Sequence, residues 1–404
     1  MTAATSSRQY ALVTLSYWGF TLTDGALRML ILLFFHGLGF TPIEIASLFI
    51  LYELSGVITS LFGGWIAARI GLIPTLQIGL FLQIVALAMM LLDSDQLTVV
   101  YVMCAQALSG VGKDLNKLSA KSSIKLLVPS NANTLLFKWV AILTGSKNAV
   151  KGFGFFLGGA LLSWIGFIST ILVMLALLSV IFLGGFLVLT NLAIKNTKPA
   201  FRDLFSKSSA INYLSAARLF LFGSRDIWFV IALPVYLQSE LTWSYWQVGS
   251  LMAAWVIGYG GIQMLAPKIT RFFGLGTDNP KLLVYWGAAL CVIPSLLAGS
   301  LAFSSNEGII IICALVPFAF VFAVNSSVHS YFILALSQRD NVSLDVGFYY
   351  MANAGGRLFG TLLSGVIFQL YGLQACLLLS SLMIVLSTLW ATRLPSQQNH
   401  NQIG

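Results

Sequence analysis

Tyr17-Trp18-Gly19-Phe20-Thr21-Leu22-Thr23-Asp24-Gly25-Ala26-Leu27-Arg28 is the stretch whose reading decides the fold. It lies inside an apolar run over 10–35, long enough to cross a bilayer core at ~1.5 Å per residue. Yet it carries an acid and a base one helical turn apart. At helical spacing Tyr17, Thr21, Asp24 and Arg28 form one polar stripe, while Leu and Phe cover the rest of the surface. A charge at the bilayer centre costs ~2.5–3.5 kcal/mol even on the most lenient scale, so the stripe faces protein or a water-filled cavity.

The surrounding chain fits that setting. Of its 404 residues 58% are hydrophobic and only 9% charged, and the mean hydropathy is +0.89. This excludes a soluble globule and predicts a polytopic membrane protein. Residues 1–9 are polar and no small-residue cleavage site follows an apolar core, so no signal peptide is expected. Cys104, Cys291, Cys313 and Cys376 fall singly in four different apolar runs without His or Cys at ligand spacing. They read as buried spectators, and neither a metal site nor a cofactor is expected.

Apolar runs fall at 10–36, 43–68, 72–92, 97–120, 146–166, 168–192, 210–237, 245–266, 282–303, 308–336, 346–370 and 373–392, which predicts twelve spans. With the N-terminus inside, Arg69, Lys121, Lys125, Lys195, Lys198, Arg202, Lys207, Lys268, Arg271, Lys281, Arg339 and Arg393 are cytoplasmic. The opposite loops hold Glu44, Asp93, Asp95, Glu240 and Glu307, with no Lys or Arg. Because Lys and Arg are retained on the cytoplasmic side, both termini are predicted inside, in the inner membrane of the cell. Most of the net charge of +9 is therefore topological and does not point to nucleic acid.

The polar stretch 195–209 divides the chain into a bundle over 1–194 and a second over 210–404, with a cytoplasmic linker between. The halves look related. Asp24 in span one matches Asp226 in span seven, and Lys151-Gly152-Phe153-Gly154-Phe155-Phe156-Leu157-Gly158-Gly159 matches Arg357-Leu358-Phe359-Gly360-Thr361-Leu362-Leu363-Ser364-Gly365 in span eleven. Two parallel repeats of six helices resemble the build of major-facilitator transporters, which implies an all-α integral membrane fold of two pseudo-symmetric six-helix bundles with a midplane site between them.

Spans three, six, nine and twelve hold no acidic or basic residue and read as lipid-facing periphery. Intramembrane charges occur instead in spans one (Asp24, Arg28), two (Glu53), four (Lys113, Asp114, Lys117), five (Lys147, Lys151), seven (Arg218, Arg225, Asp226), ten (His329) and eleven (Arg357). These spans are expected to line the path. A positive excess in a low-dielectric cavity is costly unless an anion visits it, so the expected ligand is an anion with more than one charged group. Arg28, Arg225, Lys113, Lys151 and Arg357 are the principal candidates for holding it, with Arg218, Lys147, Tyr17, Thr21, Asn353 and His329 beside them. Arginine suits the task because its planar fork grips a tetrahedral oxyanion bidentately. The bland alternative is that Asp24 neutralises Arg28 within its own helix and Asp226 does the same near Arg225.

Lys117 and Lys121 lie near the cytoplasmic end, where snorkelling and the topological bias suffice to explain them. Asp24, Glu53, Asp226 and Asp114 are the candidate proton carriers, Glu53 foremost because no base lies within a helical turn of it. Gly63-Gly64-Trp65-Ile66-Ala67-Ala68-Arg69-Ile70-Gly71 resembles the major-facilitator signature loop, with Ala68 where that loop has an acid. Gly145, Gly154 and Gly158 repeat the glycine spacing of the family's antiporter motif, with Gly159 in place of its proline.

Longer words carry a narrower resemblance. Residues 17–30, the run 106–129 with Lys113-Asp114-Leu115-Asn116-Lys117, the run 137–159 with Thr144-Gly145-Ser146-Lys147-Asn148, and the run 204–230 with Ser215-Ala216-Ala217-Arg218 and Arg225-Asp226 are similar to the ArsJ-type organoarsenical efflux permeases. The resemblance implies export of 1-arseno-3-phosphoglycerate, made when a glyceraldehyde-3-phosphate dehydrogenase uses arsenate in place of phosphate, and hence arsenate resistance; proton exchange through the acids named above is expected to drive it. It implies a functional pairing with that dehydrogenase and a monomer among membrane lipid, and it supplies no catalytic residues. An organophosphate:phosphate antiporter suits the same cations. A membrane enzyme is disfavoured by the lack of a nucleophile–base pair at usable spacing, and a transporter-like sensor by the lack of an output domain.

Overall fold

In lipid the backbone has no water to satisfy it, so runs of Leu, Ile, Val and Phe close their hydrogen bonds within helices. The computed structural model describes residues 3–39, 48–93, 96–129, 132–190, 204, 208–243, 245–274, 279–303 and 306–395. Glu44, Asp95, Lys195, Lys198, Arg202 and Lys207 lie outside the described residues, as does most of the 195–209 linker.

The helices are α1 (Ala3–Gly37), α2 (Ile50–Ile70), α3 (Leu72–Met89), α4 (Val99–Leu127), α5 (Asn133–Ile165), α6 (Phe167–Val188), α7 (Ser209–Phe229), α8 (Ala232–Ser239), α9 (Tyr245–Phe272), α10 (Lys281–Leu301), α11 (Glu307–Leu336) and α12 (Val342–Ala391). Among the described residues there is no strand, and nine helical stretches are long and apolar enough to cross a membrane, α7 and α8 together forming one of them. Two further helices, α4 with 29 residues and α5 with 33, have the length to cross but carry the lysines of spans four and five. The 50-residue α12 turns at Gly372 (φ 76°, ψ −176°) and so accommodates spans eleven and twelve. This all-helical architecture is consistent with twelve crossings.

Gly372 has a counterpart. Gly166, with φ 79°, turns the chain from α5 into α6, and it follows Lys151 by as many residues as Gly372 follows Arg357. Both positions need a residue without a Cβ, because a positive φ is costly for any other. The repeat seen in the charges thus extends to the turns that end the same spans.

The chain forms two compact units. The first comprises Met1–Ser130, Ser146–Phe205 and Gln338–Met351; the second comprises Asn131–Gly145, Ser206–Ser337 and Ala352–Gly404. Within the first, α1 packs on α5 through small residues: a Cβ on Gly154 would stand 2.7 Å from the Leu22 carbonyl, and one on Gly25 2.8 Å from that of Lys151. Gly64 packs in the same way on 343–347, where its Cβ would lie 2.5 Å from the Ser343 carbonyl. Arg339 donates to the Val128 carbonyl at 2.6 Å, closing the end of α4. Within the second unit a Cβ on Gly360 would lie 2.5 Å from the Gly223 carbonyl. The core there is aromatic, with Trp228 edge-on to Phe318 at 5.0 Å and Phe229 against Trp255 at 4.2 Å.

The charge-free spans divide in character. α6 exposes Leu172, Val180, Leu183, Phe186 and Leu187, as a lipid-facing helix should. α3 departs from the peripheral reading, because it buries Gln77 and Gln83. A polar amide in such a place marks a face turned towards protein.

Candidate functional site

In the first unit the stripe on α1 meets α2, α4 and α5. Asp24 is buried; its Oδ1 accepts the Tyr52 hydroxyl at 2.7 Å, and its Oδ2 lies 3.8 Å from Lys151 Nζ. Ser109 Oγ stands 3.5 Å from the same Oδ1 and donates to Gln83 Oε1 at 2.6 Å. The acid therefore sits between a phenol on α2 and an ammonium on α5, with a hydroxyl of α4 nearby. Arg28 does not lean on Asp24. It donates to Glu53 Oε1 at 2.8 Å and lies over the rings of Phe49 and Tyr52, at 5.0 and 4.8 Å. The bland alternative of an Asp24–Arg28 pair thus does not hold, and Glu53, with no base within a turn of its own helix, has one beside it from α1. Separation along one helix said nothing of the neighbouring helix.

Lys113 caps the other face of Tyr52, 3.8 Å from its centroid, and lies 3.9 Å from Asp114 Oδ2. Lys117 is ion-paired to Asp114 and lies 4.7 Å from the centre of the Tyr350 ring, with Lys121 at 5.0 Å from the same ring. Lys121 is only 3% exposed. It does not snorkel, and aromatic faces take up its charge together with that of Lys117. Tyr17 and Thr21 are buried, but Thr21 spends its hydroxyl proton on the Tyr17 carbonyl of its own helix at 2.8 Å. Lys147 is half-buried on α5, one turn before Lys151.

The second unit repeats the acid–base theme. Asp226 is fully buried, and its two oxygens take different guanidinium groups. Arg225 reaches Oδ1 through Nε at 2.6 Å and Nη2 at 2.5 Å, while Arg357 donates through Nε to Oδ2 at 3.1 Å. Lys151–Asp24 and Arg357–Asp226 are thus equivalent pairs, each joining the first and fifth helices of a half. Arg218 is buried against the Phe222 ring at 3.9 Å. It donates to Asn353 Oδ1 at 2.9 Å and to the carbonyl and hydroxyl of Ser326, each at 3.1 Å. His329 is buried on α11, and its Nδ1 has no hydrogen-bond partner among the described residues.

Sequence reasoning passed over Tyr52, Ser109, Gln83 and Tyr350 in the first unit and Tyr259 and Gln263 in the second. The signal for Tyr259 and Gln263 was an i,i+4 polar pair inside an apolar span. Nothing local marked Tyr52, whose role comes from cations on two other helices. Among the described residues no group of three or more His, Cys, Asp or Glu side chains could hold a metal; Cys104, Cys291, Cys313 and Cys376 form no disulfide, and only Cys376 is buried as expected, Cys291 being half-buried and Cys104 and Cys313 exposed.

The sequence profile described as Major Facilitator Superfamily matches residues 12–332 and again 214–404. No curated protein matches the sequence significantly. Among solved structures, the human organic anion transporter MFSD10 (TETRAN) is similar at 15% identity and TM-score 0.74, over 96% of this chain and 99% of that one. A bacterial homologue of the iron transporter ferroportin in an outward-facing state is similar at 15% identity and TM-score 0.75, with the same coverage. The E. coli fucose:proton symporter FucP follows at 11% identity and TM-score 0.74, over 96% and 98%. At such identities the structures speak for the fold, while the profile spans most of the sequence. The chain, with its acid–base pairs repeated between halves, belongs to the Major Facilitator Superfamily and is a multi-pass membrane transporter of small molecules.

Proposed function

We propose that this transporter exports an organic oxyanion, 1-arseno-3-phosphoglycerate, across the inner membrane by alternating access of two six-helix halves, 1–194 and 210–404, with both termini cytoplasmic. The observation that carries the anionic reading is Asp226: one buried carboxylate facing two guanidinium groups, Arg225 and Arg357. A surplus of buried positive charge is expensive in a low dielectric, and a visiting oxyanion offsets it. Arg28, Lys113 and Lys151 in the first unit and Arg225 and Arg357 in the second serve that anion, with Arg218, Lys147, Tyr17, Thr21, Asn353 and His329 as further contacts. The arsenical identity rests on the similarity of 17–30, 106–129, 137–159 and 204–230 to the ArsJ-type permeases. An arsenate-using glyceraldehyde-3-phosphate dehydrogenase would supply the substrate, and the permease would act as a monomer. MFSD10, an organic anion transporter of similar fold, is compatible company but too distant to assign a substrate.

Proton exchange would run through Asp24, Glu53, Asp226 or Asp114. Glu53 offers the most direct coupling, because it and the substrate would compete for Arg28.

The test is arsenic accumulation in arsenate-sensitive cells expressing the permease, the dehydrogenase or both, followed by transport into inside-out vesicles. Lower accumulation that requires both proteins, and vesicle uptake of the dehydrogenase product in preference to free arsenate, support the reading. Vesicles that exchange labelled phosphate for glycerol phosphates and ignore the arsenical would replace it with an organophosphate antiporter.

A further inference from the structure

Gln83 and Ser109 join α3 and α4 to Asp24 in a way that leaves one end of an amide unused. The two helices are close here, for a Cβ on Gly112 would stand 2.7 Å from the Gly79 carbonyl. Ser109 Oγ lies 2.6 Å from Gln83 Oε1 and 3.5 Å from Asp24 Oδ1. An amide oxygen has no proton to give, so the hydroxyl proton lies between Ser109 and Gln83. Ser109 therefore turns lone pairs towards Asp24, and 3.5 Å is long beside the usual O–H···O separation of about 2.7–2.8 Å. A charged Asp24 places no proton between those two oxygens. A protonated Asp24 does, and finds an acceptor waiting.

The other end of the amide, Gln83 Nε2, is buried without a hydrogen-bond partner among the described residues. A donor left so at full burial is rare and needs a reason. Here it leaves the amide able to turn. Its two ends are almost alike in shape, and a half-turn gives up no bond at the far end, because none is there. Nε2 would then donate to Ser109 Oγ, and Ser109 would donate to Asp24 Oδ1, which is the arrangement a charged carboxylate requires. One amide orientation thus suits each form of the acid, and the form that Asp24 takes selects between them.

We infer that Ser109 and Gln83 are positioning residues for proton loading at Asp24, accepting from the protonated acid in one amide orientation and donating to the carboxylate in the other. Ser109 and Gln83 keep their own protons throughout; only the direction of the hydrogen bonds reverses, and the proton gained or lost is that of Asp24. The inference rests on the reading of Asp24 as a proton carrier and deepens it, by giving the acid a partner in both states. The charged and titratable groups about Asp24 are Tyr17 and Arg28 on its own helix, Tyr52 and Glu53 on α2, Lys113 and Asp114 on α4, and Lys151 on α5. α3 and α6 bring none. Those groups set the field at Asp24, whereas the relay stays neutral and follows the proton.

The experiment titrates the purified full-length protein with pH and follows the infrared carbonyl band of protonated carboxylic acids, which needs no substrate. In wild type one component should grow as pH falls and be missing from Asp24→Asn. Gln83→Met removes the amide and leaves Asp24 as the nearest acceptor for the Ser109 proton. The charged form is then favoured, and the midpoint of that component should move about one pH unit towards acid, a tenfold effect. Ser109→Ala takes away the acceptor of the acid proton, so the component should move to higher frequency. Gln77→Met is the control: it removes a buried amide of the same helix that lies against Gly185 of α6, outside the relay, and should leave midpoint and frequency in place. A purely packing role predicts altered melting temperatures for Gln83→Met and Gln77→Met alike, with one unchanged titration. The inference is overturned if Gln83→Met keeps the wild-type midpoint or if Ser109→Ala keeps the wild-type frequency. Either result, with the Asp24 component present, removes the relay and keeps Asp24 as a proton carrier; a component absent from wild type removes both.

Discussion

Arg28 is held by Glu53, 2.8 Å away on the next helix, and not by Asp24 one turn back on its own. The two side chains are 27% and 38% exposed, so water shares in the pair and its stabilising worth is small, about 1 kcal/mol or less. An oxyanion arriving at Arg28, as proposed above, would compete with Glu53 for the guanidinium. Glu53→Gln should therefore bind anion more tightly than wild type while failing to accumulate it under a pH gradient. Binding by calorimetry and gradient-driven uptake in proteoliposomes read the two effects separately. Unchanged gradient-driven uptake would remove Glu53 from proton coupling.

The small-residue seam makes a prediction about stability. Gly154 lies against the Leu22 carbonyl and Gly360 against that of Gly223, so an added methyl meets rigid backbone at 2.7 and 2.5 Å. Gly159 has only ordinary contacts, the nearest at 3.5 Å, and Gly365 has open space. Alanine gains about 1 kcal/mol of helix propensity over glycine, whereas overpacking costs about 1–3 kcal/mol. Gly154→Ala and Gly360→Ala should thus melt lower than wild type, and Gly159→Ala and Gly365→Ala level or higher. Equal melting of all four would mean that neither α1 and α5 nor α7 and α12 are closely packed in the membrane.

How far the sequence carried is visible in these same residues. The helical character of the apolar runs and the match of Lys151 to Arg357 follow from composition and spacing, because lipid forces each apolar run into a helix; that the helix of span five starts at Asn133, and that Gly166 and Gly372 make the same turn, does not. The partner of each charge does not follow. Spacing along α1 permits an Asp24–Arg28 contact, but the choice of Glu53 is made by the packing of α2 against α1. Gln83 and Ser109 show the same limit. Neither is ionisable, so a charge map omits them, yet they bring a polar link from α3 and α4 to Asp24. Snorkelling does not describe Lys121, because a position near a span's end suggests solvent, while the ring that receives it comes from a distant part of the chain, Tyr350.

Beyond the apolar limit of span four at 120, Lys125 predicts a pH dependence. Burial, with Arg339 nearby, pushes its ammonium from the usual 10.5 down to about 8. The folded pKa lies below the unfolded one, so between about pH 8 and 10.5 the unfolded chain binds more protons there. This group's contribution to stability therefore rises with pH across that window and is lost as pH falls through about 8. Lys125→Met should be more stable than wild type at pH 7.5 and should lose part of the rise between pH 8 and 9.5. Parallel melting curves across that range would show that Lys125 is solvated in the folded protein.

Asp226 makes the sharpest demand. Its carboxylate is fully buried between Arg225 and Arg357. Asp226→Asn keeps the shape and removes the charge, leaving two guanidinium groups facing a neutral amide. Breaking a buried pair by removing one partner costs about 3–5 kcal/mol; because the Arg357 side chain is 40% exposed, solvent should hold the loss to the lower end. The melting temperature of Asp226→Asn should fall well below wild type, and adding Arg357→Gln should recover part of the loss by relieving the repulsion. Phosphate should stabilise Asp226→Asn more than it stabilises wild type, since a bound oxyanion supplies the missing negative charge. A double variant no more stable than the single one, together with a phosphate response no larger than wild type's, would mean that the two arginines do not share one anionic centre, and the surplus charge on which the anionic substrate rests would have to be sought in the first unit alone.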